Sequence, residues 1–188
     1  MNQKLTTRKI VFTALMAALT CLGSTARIVI PMDIGGTTAF HLGNIFCALS
    51  GILLGPWLGG AAAGFGSLIY DVIFYPAYIS ECWITFLTKG AYGMAAGLVI
   101  ILGKKDWGYA RAIWATVAGA LTYAALYLAK SYFYSGLLIN GLTADAALVS
   151  VAGKIPATVF NAVVAVIFAP ILATAIRKGL KRSHMSLD

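Results

Sequence analysis

Four basic residues stand inside long apolar stretches of the chain: Arg27, Lys89, Lys130 and Lys154. A cation in apolar surroundings persists where it meets an opposite charge, a wet cavity or a polar guest. Asp71 and Glu81 are placed to answer them, and Asn44, His41, Trp83, Tyr134 and Asn161 fall at related depths. Amines, amides and flat rings in one region suit recognition of a small polar solute through charge-assisted hydrogen bonds and stacking. They do not make a catalytic constellation. The chain has no GxxxxGK[ST], no HExxH, no GxSxG and no paired acidic cluster for Mg²⁺. No metal is expected either, because the only other histidine besides His41 is His184, far away near the C-terminus. Cys21, Cys47 and Cys82 lie in different apolar segments without CxxC spacing and read as small core residues.

The elements that must position these groups follow from composition. Of 188 residues, 60% are hydrophobic and 11% are charged. Soluble domains have about 45–50% apolar and about 25% charged residues, and one of this size leaves roughly a third of its unfolded surface wet. The chain therefore reads as an all-α integral membrane protein forming a single domain over residues 1–188. A helix crosses a hydrocarbon core of about 30 Å with about 20 residues. Six stretches fit, near residues 10–30, 41–54, 57–75, 83–102, 112–134 and 146–176. The second is short, and only Gly55-Pro56 separates it from the third.

Lys4, Arg8, Lys9, Lys104, Lys105, Arg111, Arg177, Lys178, Lys181 and Arg182 all fall on one side of a six-span bundle. By the positive-inside rule both termini are cytoplasmic. The net charge of +8 thus reports orientation and not nucleic-acid binding. The outer loops hold Asp33, Glu81 and Asp145 without Lys or Arg. A basic start, an apolar stretch and Ser24-Thr25-Ala26 also have the shape of a cleavable leader; an uncleaved first span is the reading taken.

This topology puts Arg27, Lys89, Lys130 and Lys154 in the outer half. Lys89 lies about 9 Å into its span and Lys154 about 12 Å, at 1.5 Å per residue. Arg27 and Lys130 are close enough to the surface to reach headgroups. Two readings stay open for Lys89 and Lys154: ion pairs with Asp71 or Glu81, or the lining of an outward-facing pocket. Tyr75, Tyr78 and Tyr132 suit an interfacial aromatic belt. Small residues four apart, Gly51-xxx-Gly55-xxx-Gly59, Gly60-xxx-Gly64 and Gly93-xxx-Gly97, predict close helix packing within the bundle.

Several runs carry a family likeness: Phe40-His41-Leu42-Gly43-Asn44, then Leu49-Ser50-Gly51-Ile52-Leu53-Leu54-Gly55-Pro56-Trp57-Leu58-Gly59-Gly60, then Gly64-Phe65-Gly66-Ser67-Leu68-Ile69-Tyr70-Asp71. Thr85-Phe86-Leu87-Thr88-Lys89-Gly90 and Ala14-xxx-Ala18 add to it. With six spans and no nucleotide site, the chain resembles the substrate-capture (S) component of an energy-coupling factor (ECF) vitamin transporter. The resemblance implies an outward-facing vitamin site, lined by spans four to six and the first outer loop. It also implies that the subunit topples against a transmembrane coupling subunit driven by two cytoplasmic ATPases. Ala14 and Ala18 would face that coupling subunit, or else pack within the monomer. No cofactor is implied for the chain itself, since ATP is used by partner subunits only, and the setting implied is a bacterial plasma membrane.

The expected site residues are Lys89, Lys130, Lys154, Asn161, Tyr134, Asp71, His41, Asn44 and Trp83. The loop Met32–Phe40, with Gly35-Gly36, is expected to act as a hinged lid. Three lysines suggest a carboxylate or phosphate on the ligand, as in pantothenate or folate; no thiamine-type or riboflavin-type signature stands out. A stand-alone secondary carrier is the alternative, though six short spans leave little room for inverted repeats. A lipid-acting membrane enzyme is the third reading. The lone Asp106 among Lys104, Lys105 and Arg111 reads as a solvated loop and offers that enzyme no cluster.

Overall fold

The computed structural model describes residues 6–34, 36–103 and 107–183. Lys4, Gly35, Lys104, Lys105, Asp106 and His184, which enter the reading above, lie outside the described residues. Helix α1 spans Thr7–Thr25, and Thr6 caps it by accepting a hydrogen bond from the Lys9 amide. Strands β1 (Arg27–Pro31) and β2 (Thr37–His41) follow. Helices α2 (Gly43–Ile73), α3 (Cys82–Ile101), α4 (Tyr109–Ala129) and α5 (Ala144–Arg182) complete the bundle. A 3₁₀ turn at Pro76–Glu81 joins α2 to α3, and a π-helical segment at Lys130–Ile139 prolongs α4. Four helical stretches are long and apolar enough to cross a membrane: Gly43–Ile73, Tyr78–Ile101, Tyr109–Ile139 and Ala144–Arg182. The protein is a multi-pass, all-helical membrane bundle with one small β-hairpin.

The first span differs from its expected bounds. The helix stops at Thr25, and the stretch predicted to continue to Ile30 pairs instead as an antiparallel ribbon, Arg27 opposite His41 and Pro31 opposite Thr37. Ile28, Val29 and Ile30 are β-branched and favour extended backbone once a partner strand is present. An apolar run alone does not distinguish that outcome from a helix end.

Helix α2 is two segments, residues 43–54 and 56–73, broken at Gly55. Gly55 has φ 77° and ψ −176°, a conformation open essentially only to glycine. Ser50 Oγ donates to the Gly59 carbonyl at 3.0 Å. Nine residues of straight helix would separate those positions by about 13 Å, so the chain doubles back. The first segment, twelve residues, is about 18 Å long.

Glycine makes this fold close-packed. A Cβ on Gly93 would sit 2.7 Å from the Gly59 carbonyl oxygen, and one on Gly51 would collide with the Gly93 carbonyl. One on Gly97 would strike the backbone of Gly55 and Pro56. Helix α3 thus lies backbone to backbone against both arms of the α2 hairpin, as the small-residue spacing predicts. Two buried clusters fill the rest: Leu49, Ile52 and Met16 with α3 and α4 alanines, and Cys47, Ala48, Tyr92 and Tyr123 beside α5. Cys21 and Cys47 are buried and Cys82 half-buried, all as free thiols.

Candidate binding site

Ends of helices meet beneath the hairpin. The C-terminal ends of α1, of residues 56–73 and of α4 converge there with the N-terminal ends of α3 and α5. They enclose a cavity of about 450 Å³, within the range of small-molecule sites. Strand β2 covers it through Thr37, Thr38, Ala39 and His41. Asn161 and Tyr78 hold the hairpin: Asn161 on α5 accepts from the His41 amide and donates to the Ala39 carbonyl, both at 2.9 Å, and the Tyr78 hydroxyl shares a hydrogen bond with the Thr37 hydroxyl at 3.1 Å. The Asn161 amide thus stands in for a neighbouring strand.

All four intramembrane cations line this cavity, each with a different hold. Arg27 donates to the Tyr70 hydroxyl at 2.9 Å and lies over the Tyr75 ring, 4.3 Å from its centroid. Lys89, 5% exposed, donates to the Asn44 side-chain oxygen and sits 3.9 Å from the Tyr123 centroid. Lys130, the first π-helical residue, forms an ion pair with Glu81, whose other oxygen accepts from Ser135 at 3.0 Å. Lys154 is buried, and although its carbonyl accepts from the Thr158 hydroxyl at 2.9 Å, its ammonium makes no hydrogen bond or ion pair with any described residue. Ion pairs of Lys89 or Lys154 with Asp71 or Glu81 are not what forms; Lys130 takes Glu81, and Asp71 Oδ2 is buried with no hydrogen-bond partner among the described residues.

Of the expected site residues, Lys89, Lys130, Lys154, Asp71, His41 and Asn161 come together around the cavity. Asn44, Trp83 and Tyr134 do not line it. Asn44 lies behind Lys89 and fixes its ammonium. Trp83 is half exposed and packs edge-on against Tyr134, 5.9 Å between centroids, on the outer side of the bundle. An indole at the start of a span carries no sequence mark that tells a lipid-facing ring from a ligand-facing one. Ala14 and Ala18 are both exposed on α1, beside exposed Ile10, Val11, Leu15 and Leu22.

The tyrosines are the main addition. Tyr75 and Tyr78, expected in an interfacial belt, line the cavity with Tyr70, Tyr123 and Tyr127. Tyr123 and Tyr127 stack at 5.5 Å. They stand seven and three residues before Lys130, so one helical face carries all three; that spacing was the available signal. His41 faces Lys89 and Arg27. Burial first, and then those two cations, push its imidazole well below the usual histidine range, so the ring is neutral. Its Nδ1 is buried with no hydrogen-bond partner among the described residues.

A cavity with five phenol rings, four cations and an unpartnered carboxylate oxygen can stack on and hydrogen-bond a small polar guest. Comparison with known proteins gives the context. A family model for the S component of the ECF-type riboflavin transporter matches residues 4–178. The chain belongs to that family. The S component is a transporter subunit and not an enzyme, and it works with a membrane coupling subunit and ATPases. A protein of Pyrococcus woesei, described as an uncharacterized protein in a gap 3′ region, is 32% identical over 119 residues, 63% of this chain and 74% of that one.

Proposed function

We propose that this S component captures a riboflavin-type vitamin from outside the cell, in the cavity beneath the β-hairpin. The observation that carries this reading is the ring of tyrosines, Tyr70, Tyr75, Tyr78, Tyr123 and Tyr127, around buried donors. A flat, imide-bearing ring system offers faces to phenols and acceptors to Lys89 and Arg27. The name of the matching family supports the same ligand. The hairpin acts as the lid, and Asn161 is its catch.

The proposed setting is a six-span bundle in a bacterial plasma membrane, with both termini cytoplasmic. The reversal at Gly55 supports that count, since it divides α2 into two antiparallel arms. Arg8, Lys9, Arg111, Arg177 and Lys178 lie at the helix ends opposite the cavity, which supports an outward-facing site. Ala14 and Ala18, exposed on α1, would meet the coupling subunit. The chain needs no cofactor of its own, and partner ATPases would supply the energy.

A carboxylate-bearing vitamin, pantothenate or folate, is the second reading. It is favoured by Lys154, a buried amine with no described partner. Titration of the purified chain with riboflavin, pantothenate and folate separates the two. Quenching of riboflavin fluorescence with unit stoichiometry is the expected result. Tight binding of a carboxylate vitamin with none of riboflavin would overturn the first reading.

A further inference from the structure

The ion pair of Lys130 with Glu81 depends on an uncommon helical register. Glu81, the last residue of the 3₁₀ turn, holds two groups of the π-helical segment: Lys130 donates to one carboxylate oxygen, and the Ser135 hydroxyl donates to the other at 3.0 Å. Five residues make about 1.4 turns of α-helix and would leave those side chains about 140° apart. A π-helix closes its hydrogen bonds over five residues, as the Asn140 amide does onto the Ser135 carbonyl at 3.0 Å. Both side chains then share one face, and a single carboxylate reaches both. Glu81, Lys130 and Ser135 all line the vitamin cavity, together with Asn140, Lys154 and Thr158. Both charges of the pair lie within electrostatic reach of the Lys154 ammonium, which has no hydrogen-bond or ion-pair partner among the described residues.

We propose that Glu81 is the charge filter of this cavity, so that the site takes a guest with an uncharged, hydroxyl-bearing tail and refuses the phosphorylated form of the same compound. The inference rests on the riboflavin-type reading above and adds which tail the ring can carry. The stacked phenols of Tyr123 and Tyr127 suit the flat part of the guest. Ser135, Asn140, Thr158 and Lys154 offer hydroxyls, an amide and an amine, which suit a chain of hydroxyl groups. A phosphate monoester asks for more, because it carries about −1.5 to −2 charge and three strong acceptor oxygens. Glu81 engages two of the donors it would need, the Lys130 ammonium and the Ser135 hydroxyl. It also sets a carboxylate beside the place a phosphate would occupy, like charge against like. What remains is the Lys154 ammonium next to a neutral pair, enough for a hydroxyl tail and too little for a dianion.

The test is fluorescence titration of the full chain with riboflavin and with riboflavin monophosphate. Wild type should bind the uncharged compound more tightly. Glu81→Gln keeps an acceptor for Lys130 and a polar partner for Ser135 but removes the charge. The preference should then shrink by about tenfold or more, and the gain for the monophosphate should fade with added salt. Glu81→Asp keeps the charge and should keep the preference. Lys130→Gln leaves Glu81 uncompensated and should shift the preference the opposite way from Glu81→Gln. Melting temperature follows the fold of each variant; if Glu81→Gln does not survive purification, Lys130→Gln decides by the sign of its shift. An unchanged preference in the folded variants, with both compounds weakened alike, would make the Glu81 clamp purely structural and overturn the proposal while riboflavin capture stands. So would a wild type that favours the monophosphate. Failure of wild type to bind riboflavin at all would overturn the riboflavin-type reading and this one together.

Discussion

Lys89 and Lys154 are both buried amines at one cavity, but they differ in what else holds them. Lys154→Ala should weaken vitamin binding by more than about tenfold, because a desolvated, charge-assisted bond is lost, and melting temperature should stay near wild type. Lys89→Ala should cost affinity and stability together, because it also strips Asn44 and the Tyr123 face of their cation. Unchanged affinity in both variants would assign the lysines a structural role. His41 gives a pH signature. Its ring is neutral in the folded protein, whereas an unfolded chain takes up a proton near pH 6.5. Stability is therefore full above that value and declines as pH falls below it toward the depressed folded value. A His41→Gln variant should lose that slope in melting curves between neutral and mildly acid pH. At this scale the sequence was informative where charge sat among apolar neighbours, since Lys89, Lys130, Lys154 and Asp71 declare themselves by their cost. It also pointed to Trp83 and Tyr134 as site residues, and they lie off the cavity, because aromatic rings are equally at home facing lipid, protein or ligand.

Between residues and fold stand two elements that the helical reading treated differently. The α2 hairpin was visible, since Gly55-Pro56 and the spaced glycines state both the break and the close approach. Gly55→Ala should destabilise by about 1–3 kcal/mol, the cost of a glycine-only conformation, although open space surrounds its missing side chain. Gly93→Leu should be worse, because the Gly59 backbone cannot move aside; chemical denaturation in detergent measures both. The β-ribbon was not visible. Its first strand, Arg27–Pro31, reads as the tail of a span, and pairing with Thr37–His41 is decided by a partner across a turn and by Asn161 from α5. Asn161→Ala should raise the vitamin off-rate, as the hairpin loses both of those bonds, while Asn161→Asp should restore only the bond from the His41 amide.

The whole subunit has no described means of using ATP and an α1 face of small and apolar side chains open to its surroundings. Reconstituted alone, it should bind vitamin but not accumulate it under an ion gradient; accumulation would favour the secondary-carrier alternative. Ala14→Trp or Ala18→Trp should abolish co-purification with the coupling subunit and leave vitamin affinity unchanged. The twelve-residue arm before Gly55 has one more consequence. It falls well short of an ordinary hydrocarbon thickness of about 30 Å. Lipids beside it must dip or compress to keep its ends wet, a mismatch that costs fractions of a kcal/mol per Å. The subunit should therefore melt at progressively lower temperature as acyl chains lengthen, and gather where the membrane is thin.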